Sequence, residues 1–149
     1  IVFIFSLWSM QVIDNTDTRL HSFTKHSAQK TLDTVSHTQL QSMNITELLS
    51  HSQSVIEAMI YLWQNEGDAP QTAIDKFLPI LAAIPKMKIS KVLSNLFSAA
   101  ARFNVSLDLQ LEVCTIMIEW ARQEKRNFVR QRLQFRYVNL LFQANRYQD

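Results

Sequence analysis

A single glycine, Gly67, interrupts 149 residues, and from about residue 44 onward the apolar side chains return at helical spacing. Together these facts remove most fold classes. Sandwiches and barrels need many tight turns, and tight turns draw on glycine for backbone conformations that a Cβ opposes. An apolar residue recurring every three or four positions instead marks one face of an amphipathic helix.

Five helices are predicted. The first opens at Asn44, with Glu47 three residues on in a capping-box arrangement, and carries Leu48, Leu49, Ser52, Val55, Ile56, Met59, Ile60 and Trp63 along one stripe. Gly67 falls where a left-handed residue would close it, and Asp68 and Pro70 would cap and start the next. That second helix runs to about Ile84, with Ile74, Phe77, Leu78 and Leu81 inward. Pro79 is its misfit, expected to kink the rod. A third spans about 87–103. The fourth, about 107–123, is apolar on nearly every side and is expected to be enclosed by neighbours, with Trp120 in the core. A fifth covers about 127–144, with Asn145 closing it and Arg146-Tyr147-Gln148 opening a sixth.

Consecutive helices with short links describe stacked antiparallel pairs, either a closed bundle or an α-solenoid of the tetratricopeptide kind. The expected fold class is all-α, with a solenoid over residues 44–149. Residues 1–43 are expected to be poorly ordered. They hold an apolar run, Ile1 to Ile13, followed by a stretch rich in Ser, Thr and His with no sustained period. The run is too short to span a membrane, and no basic segment precedes it. A buried terminal segment or a truncated targeting segment both remain open. The chain begins with Ile1 rather than Met and reads as a fragment.

Chemistry-bearing residues are sparse. His21 and His26 are five apart and fall on different helical faces, and no carboxylate or thiol completes a ligand set. Cys114 is the one cysteine, which excludes an intrachain disulfide and fits a reducing compartment. It sits on an apolar stripe with Leu107, Leu111, Ile118 and Ala121, away from any histidine, and reads as a buried structural thiol. No glycine-rich phosphate loop is possible. Asn44-Ile45-Thr46 and Asn104-Val105-Ser106 match the glycosylation pattern, which only a secreted protein would use. The chain reads as no enzyme, with no cofactor.

Charge supplies the one surface signal. Residues 1–67 carry three Lys/Arg and six Asp/Glu, and residues 68–149 carry twelve and seven. Arg122, Lys125, Arg126, Arg130, Arg132 and Arg136 crowd into fifteen positions against Glu124 alone. They are the candidate protein-interface residues. Plain solvated faces and an RNA-binding surface are the other readings of the same run.

The stretch Glu119-Trp120-Ala121-Arg122-Gln123-Glu124-Lys125-Arg126-Asn127-Phe128-Val129-Arg130-Gln131, with Glu112 and Cys114 before it and Arg146-Tyr147-Gln148 after it, resembles the N-terminal helical region of the non-ATPase subunit 11 family of the 26S proteasome lid. The resemblance covers roughly residues 52–149 and is dense over 112–148, whereas residues 1–50 depart from the family's pattern. It implies a right-handed α-solenoid belonging to a non-catalytic scaffold subunit, followed in that family by a PCI domain. The implied partners are other lid subunits, the base ATPases and 20S core alpha subunits, in cytoplasm and nucleus, without membrane or small-molecule substrate. The implied role is to hold lid, base and core together for degradation of ubiquitinated proteins. The alternative is a helical-repeat RNA-binding module using residues 122–136.

Overall fold

A computed structural model describes residues 23–34, 37–65 and 70–148. Seven α-helices account for nearly all of them: α1 (Lys25–Asp33), α2 (His37–Ser42), α3 (Ile45–Asn65), α4 (Pro70–Ala83), α5 (Lys86–Arg102), α6 (Leu107–Gln123) and α7 (Asn127–Gln148). No strand occurs among the described residues.

The helices stack in two layers. In one, α1 packs on α3, α3 on α5 and α5 on α7; in the other, α2 packs on α4 and α4 on α6. Hairpin partners α3 with α4 and α6 with α7 close the layers on each other. Most helices meet neighbours one or two places along the chain, and α1 also reaches α4, three places on; contacts stay between near neighbours, the pattern of a solenoid rather than a closed bundle. The core follows the seam between layers, through Ile56, Met59, Phe77, Leu96, Met117 and Leu133, each fully buried.

Local chemistry explains the boundaries. Asn44 Oδ1 accepts the Glu47 N–H at 2.9 Å and so starts α3 as the sequence predicts. Pro70 is the first residue of α4, where its missing N–H leaves nothing unsatisfied. Pro79 lies inside α4, which continues as one helix at the expense of the bond to the Asp75 carbonyl. Phe77, Ile80 and Leu81 are buried around it. At about 1.5–3 kcal/mol per buried side chain, they outweigh the roughly 3 kcal/mol of an interior proline. Gly67, Asp68, His21 and the run Ile1–Ile13 lie outside the described residues.

Three expectations need correction. Residues 23–43, read as part of a poorly ordered linker, carry α1 and α2. Thr24 and Ser27 cap α1 reciprocally: the Ser27 N–H donates to Thr24 Oγ1 at 3.1 Å and the Thr24 N–H to Ser27 Oγ at 2.8 Å. Ala28, Leu32 and Leu40 are buried, and the Phe23 ring meets Tyr61 at 5.7 Å. Two inward residues on so short a helix leave no sustained period to read. Second, α7 runs without a break through Asn145 to Gln148, so no sixth predicted helix begins at Arg146. Third, α6 is not enclosed. Val113, Cys114, Met117 and Ala121 are buried, yet Leu109, Leu111, Ile116, Ile118 and Trp120 are only half-buried. It packs on α4 and α7, and its remaining face forms a partly open apolar surface.

Candidate functional site

The turn between α6 and α7 organises the basic run. Helix α6 ends with the Arg126 N–H donating to the Ala121 carbonyl at 2.8 Å and the Lys125 N–H to the Arg122 carbonyl at 3.2 Å. This hydrogen-bond pair demands a left-handed residue at position 125, where glycine is usual. The chain places Lys125 there, at φ 56°. Asn104 does the same after α5 at φ 63°, but asparagine tolerates that region better.

From this corner the six predicted cations part company. Arg122 turns along α6 to Glu119, its Nε 3.1 Å from Oε2. That pairing holds the Glu119 carboxyl below its usual range and raises the guanidinium. Arg126 lies over the Trp120 ring at 5.6 Å and donates to the Ala82 carbonyl at 3.4 Å, near the exposed acceptors that end α4. Arg130 is half-buried, with its Nε buried and without a hydrogen-bond partner. Arg132 stands over the Phe128 ring at 5.1 Å and Arg136 over the Phe97 ring at 5.5 Å. Lys125 is exposed. The structure therefore brings together Lys125, Arg126, Arg132 and Arg136 along the seam between α5 and α7, and sends Arg122 to another face.

Sequence reasoning missed one member. Lys86, at the start of α5, lies over the same Phe128 ring at 5.0 Å. No signal in the basic run points to it, because it joins the cluster only when α5 packs beside α7.

Two clefts follow one another along that seam. The first, of about 310 Å³, has Lys86, Lys125 and Arg126 around Ile84, Ile89 and Phe128. The second, of about 190 Å³, has Arg132 and Arg136 with Ser90, Ser94, Phe97 and Phe135. Neither is lined by a carboxylate. A third cleft of about 490 Å³, between α4 and α6, has the opposite character: Asp75 and Glu119 line it beside Trp120 and Leu78, and no cation does.

Reactive groups are held back from solvent. Cys114 is fully buried, with Sγ 4.0 Å from the Leu133 carbonyl, and burial pushes its thiol up to about 12 against a weaker opposing pull from Arg136. Burial also pushes the half-buried His51 imidazole down. Among the described residues no group of three or more His, Cys, Asp or Glu side chains is placed to hold a metal ion.

Comparison with known proteins adds family relationships to this geometry. The family model described as the 26S proteasome regulatory subunit RPN6 N-terminal domain matches residues 10–144. The 26S proteasome non-ATPase regulatory subunit 11 homolog of Arabidopsis thaliana is 34% identical over 84 residues, 56% of this chain and 20% of that protein. The probable 26S proteasome regulatory subunit rpn6 of Schizosaccharomyces pombe is 30% identical over 90 residues, 60% and 21% respectively. The 26S proteasome regulatory subunit RPN6 of Saccharomyces cerevisiae is 30% identical over 97 residues, 64% and 22%. The chain thus matches about a fifth of the length of these relatives. No solved structure matches it significantly. The family match corrects one expectation: the likeness does not stop near residue 52 but reaches residue 10, so α1 and α2 belong to the family's pattern. Their few packing positions are too sparse to be read by eye.

Proposed function

Since the chain belongs to the family of 26S proteasome regulatory subunit RPN6 N-terminal domains, we propose that it serves as the helical arm of a non-catalytic proteasome lid subunit. In this reading the arm is a scaffold. It holds lid, base and 20S core together while ubiquitinated proteins are degraded, and it works in cytoplasm and nucleus.

The observation that carries the reading is the family match over residues 10–144. The architecture supports it. A two-layer helical stack buries a continuous seam and keeps its surfaces at fixed separation, as a spacer between large partners requires. The buried, high-pKa Cys114 thiol is a packing group and a poor nucleophile, which supports the non-catalytic role. The other lid subunits, base ATPases and core alpha subunits are the proposed partners, and the candidate contact residues are Lys125, Arg126, Arg130, Arg132 and Arg136, with Arg122 on the neighbouring face.

An affinity-tagged full-length protein, purified under native conditions, tests the assignment by mass spectrometry of what accompanies it. Other lid subunits are expected in stoichiometric amount. Their absence from a well-folded preparation would overturn the proteasome reading. Imaging of the same tagged protein tests the localisation.

RNA binding through residues 122–136 is the weaker reading. Single-stranded nucleic acid needs open aromatic faces on which bases stack. Phe128 already carries Lys86 and Arg132 against its ring and Phe97 carries Arg136, which leaves Phe135 as the one open aromatic face along the two clefts, too few for a run of stacked bases.

A further inference from the structure

We propose that the α5–α7 seam is a docking groove for an acidic peptide segment that carries a single aromatic or aliphatic anchor. The inference deepens the scaffold reading by naming the chemistry of one contact, and it rests on that reading only in taking this arm as a binding module.

Charge complementarity is the first argument. Lys86, Lys125, Arg126, Arg132 and Arg136 come from two helices and one turn to line a single seam, and no carboxylate lines either of its clefts. Glu124 sits beside Lys125 on the turn and is exposed, but it lines neither cleft. Among the described residues no carboxylate pairs with any of the five; Lys86, Arg126, Arg132 and Arg136 instead meet aromatic rings, and Arg126 also one carbonyl. Cation–π contacts orient the side chains without neutralising them, so their charge remains available to an anion.

The apolar floor is the second argument. Ile84 and Ile89 line the first cleft as buried residues, and the apolar surface left open is the half-buried Phe128 there and Phe135, 67% exposed, at the second. A free phosphate or a simple polyanion would leave this floor uncovered, whereas a peptide with one apolar side chain covers it and meets the cations with its carboxylates. The groove follows α5 from Lys86 to Phe97, roughly 16 Å at 1.5 Å per residue. That length accommodates about five residues of extended peptide.

Lys125 is the third argument. A left-handed position that closes a helix is met at least strain by glycine. The lysine there adds local strain and puts a cation at the mouth of the first cleft. Strained residues of this sort gather at binding sites.

Fluorescence polarisation on the full-length protein tests the groove, with a fluorescein-labelled Glu/Asp peptide bearing one central Phe as probe. Saturable binding is expected, weakened about tenfold or more by the Lys86→Glu, Arg132→Glu pair and by replacing the probe's Phe with Ser. Circular dichroism checks the fold of the pair. Ser94→Glu, which puts one carboxylate at an exposed position in the second cleft, offers an independent route to the same loss. No binding at low salt, binding indifferent to these substitutions, or equal binding of the Phe-less peptide would overturn the proposal. So would tighter binding of a single-stranded RNA that the same substitutions abolish. Co-purification of other lid subunits is measured on the same variants. A protein that retains them yet fails to bind the peptide refutes the groove alone.

Discussion

Lys125 sets a local stability against the placement of a charge. Holding an L-residue in the left-handed region costs roughly 1–2 kcal/mol, and glycine recovers that less the roughly 0.5–1 kcal/mol of its extra backbone entropy. Lys125→Gly is therefore expected to stabilise the protein by about 0.5–1 kcal/mol. A higher urea midpoint with unchanged m value is the readout; a lower midpoint would mean that the lysine makes contacts the turn relies on. Cys114 shows the opposite case, a residue whose environment serves packing alone. Its folded pKa, about 12, lies above the ordinary thiol value of 9.0. A group raised in this way contributes its full stability below pH 9 and loses it as pH climbs from 9 toward 12, because the unfolded thiol ionises first. Stability relative to Cys114→Ala should accordingly narrow across that window, by up to roughly 1.4 kcal/mol per pH unit. Equal pH slopes for the two proteins would show that the thiol is not shielded. The buried thiol is also expected to resist alkylation by iodoacetamide until the protein unfolds.

At the level of elements, α7 differs from its neighbours. Val129, Leu133 and Leu140 face inward, while Phe135, Val138 and Phe142 form a second apolar stripe that is 61–67% exposed. A helix with two apolar faces has no single amphipathic direction, which is why its inner and outer sides cannot be told apart in the sequence. The long helices were legible for the converse reason. α3 shows one stripe broken by a capped start, and α6 matches its expected 107–123 span because Ser106 caps it, accepting the Leu109 N–H at 3.1 Å. Sequence patterns failed where information was tertiary or sparse. α1 is visible only through its Thr24–Ser27 cap, the half-open face of α6 depends on which helices lie beside it, and Lys86 joins the basic groove from 39 positions before Lys125. The exposed stripe gives a direct test. Val138→Lys removes apolar surface without touching the core, so thermal stability should move by no more than about 0.5 kcal/mol while solubility of the isolated chain rises. Destabilisation by 2 kcal/mol or more would place Val138 in a packed interface.

For the molecule as a whole, the two-layer stack predicts how damage spreads. Helices pack on those one to three places away, so stability is close to a sum of local interfaces rather than the property of one shared core. Leu133 is fully buried on α7, against the α6 surface that holds Cys114. Truncating it leaves a void in that interface, with a cost of about 2–5 kcal/mol for a buried leucine. In a globular bundle such a loss would lower the protection of every core amide together. In a solenoid it should fall chiefly on α6 and α7, while α3 and α4, joined to each other and to α1, keep amide protection near the parent value. Hydrogen exchange of Leu133→Ala under native conditions distinguishes these outcomes. Faster exchange confined to residues 107–148 supports a stack of separable interfaces. Uniform acceleration from α3 through α7 would show one cooperative unit, and a rigid arm able to carry force between its partners. The expected gradient has a functional consequence: an acidic segment bound across the α5–α7 groove would tie α7 to α5 and slow exchange in both helices.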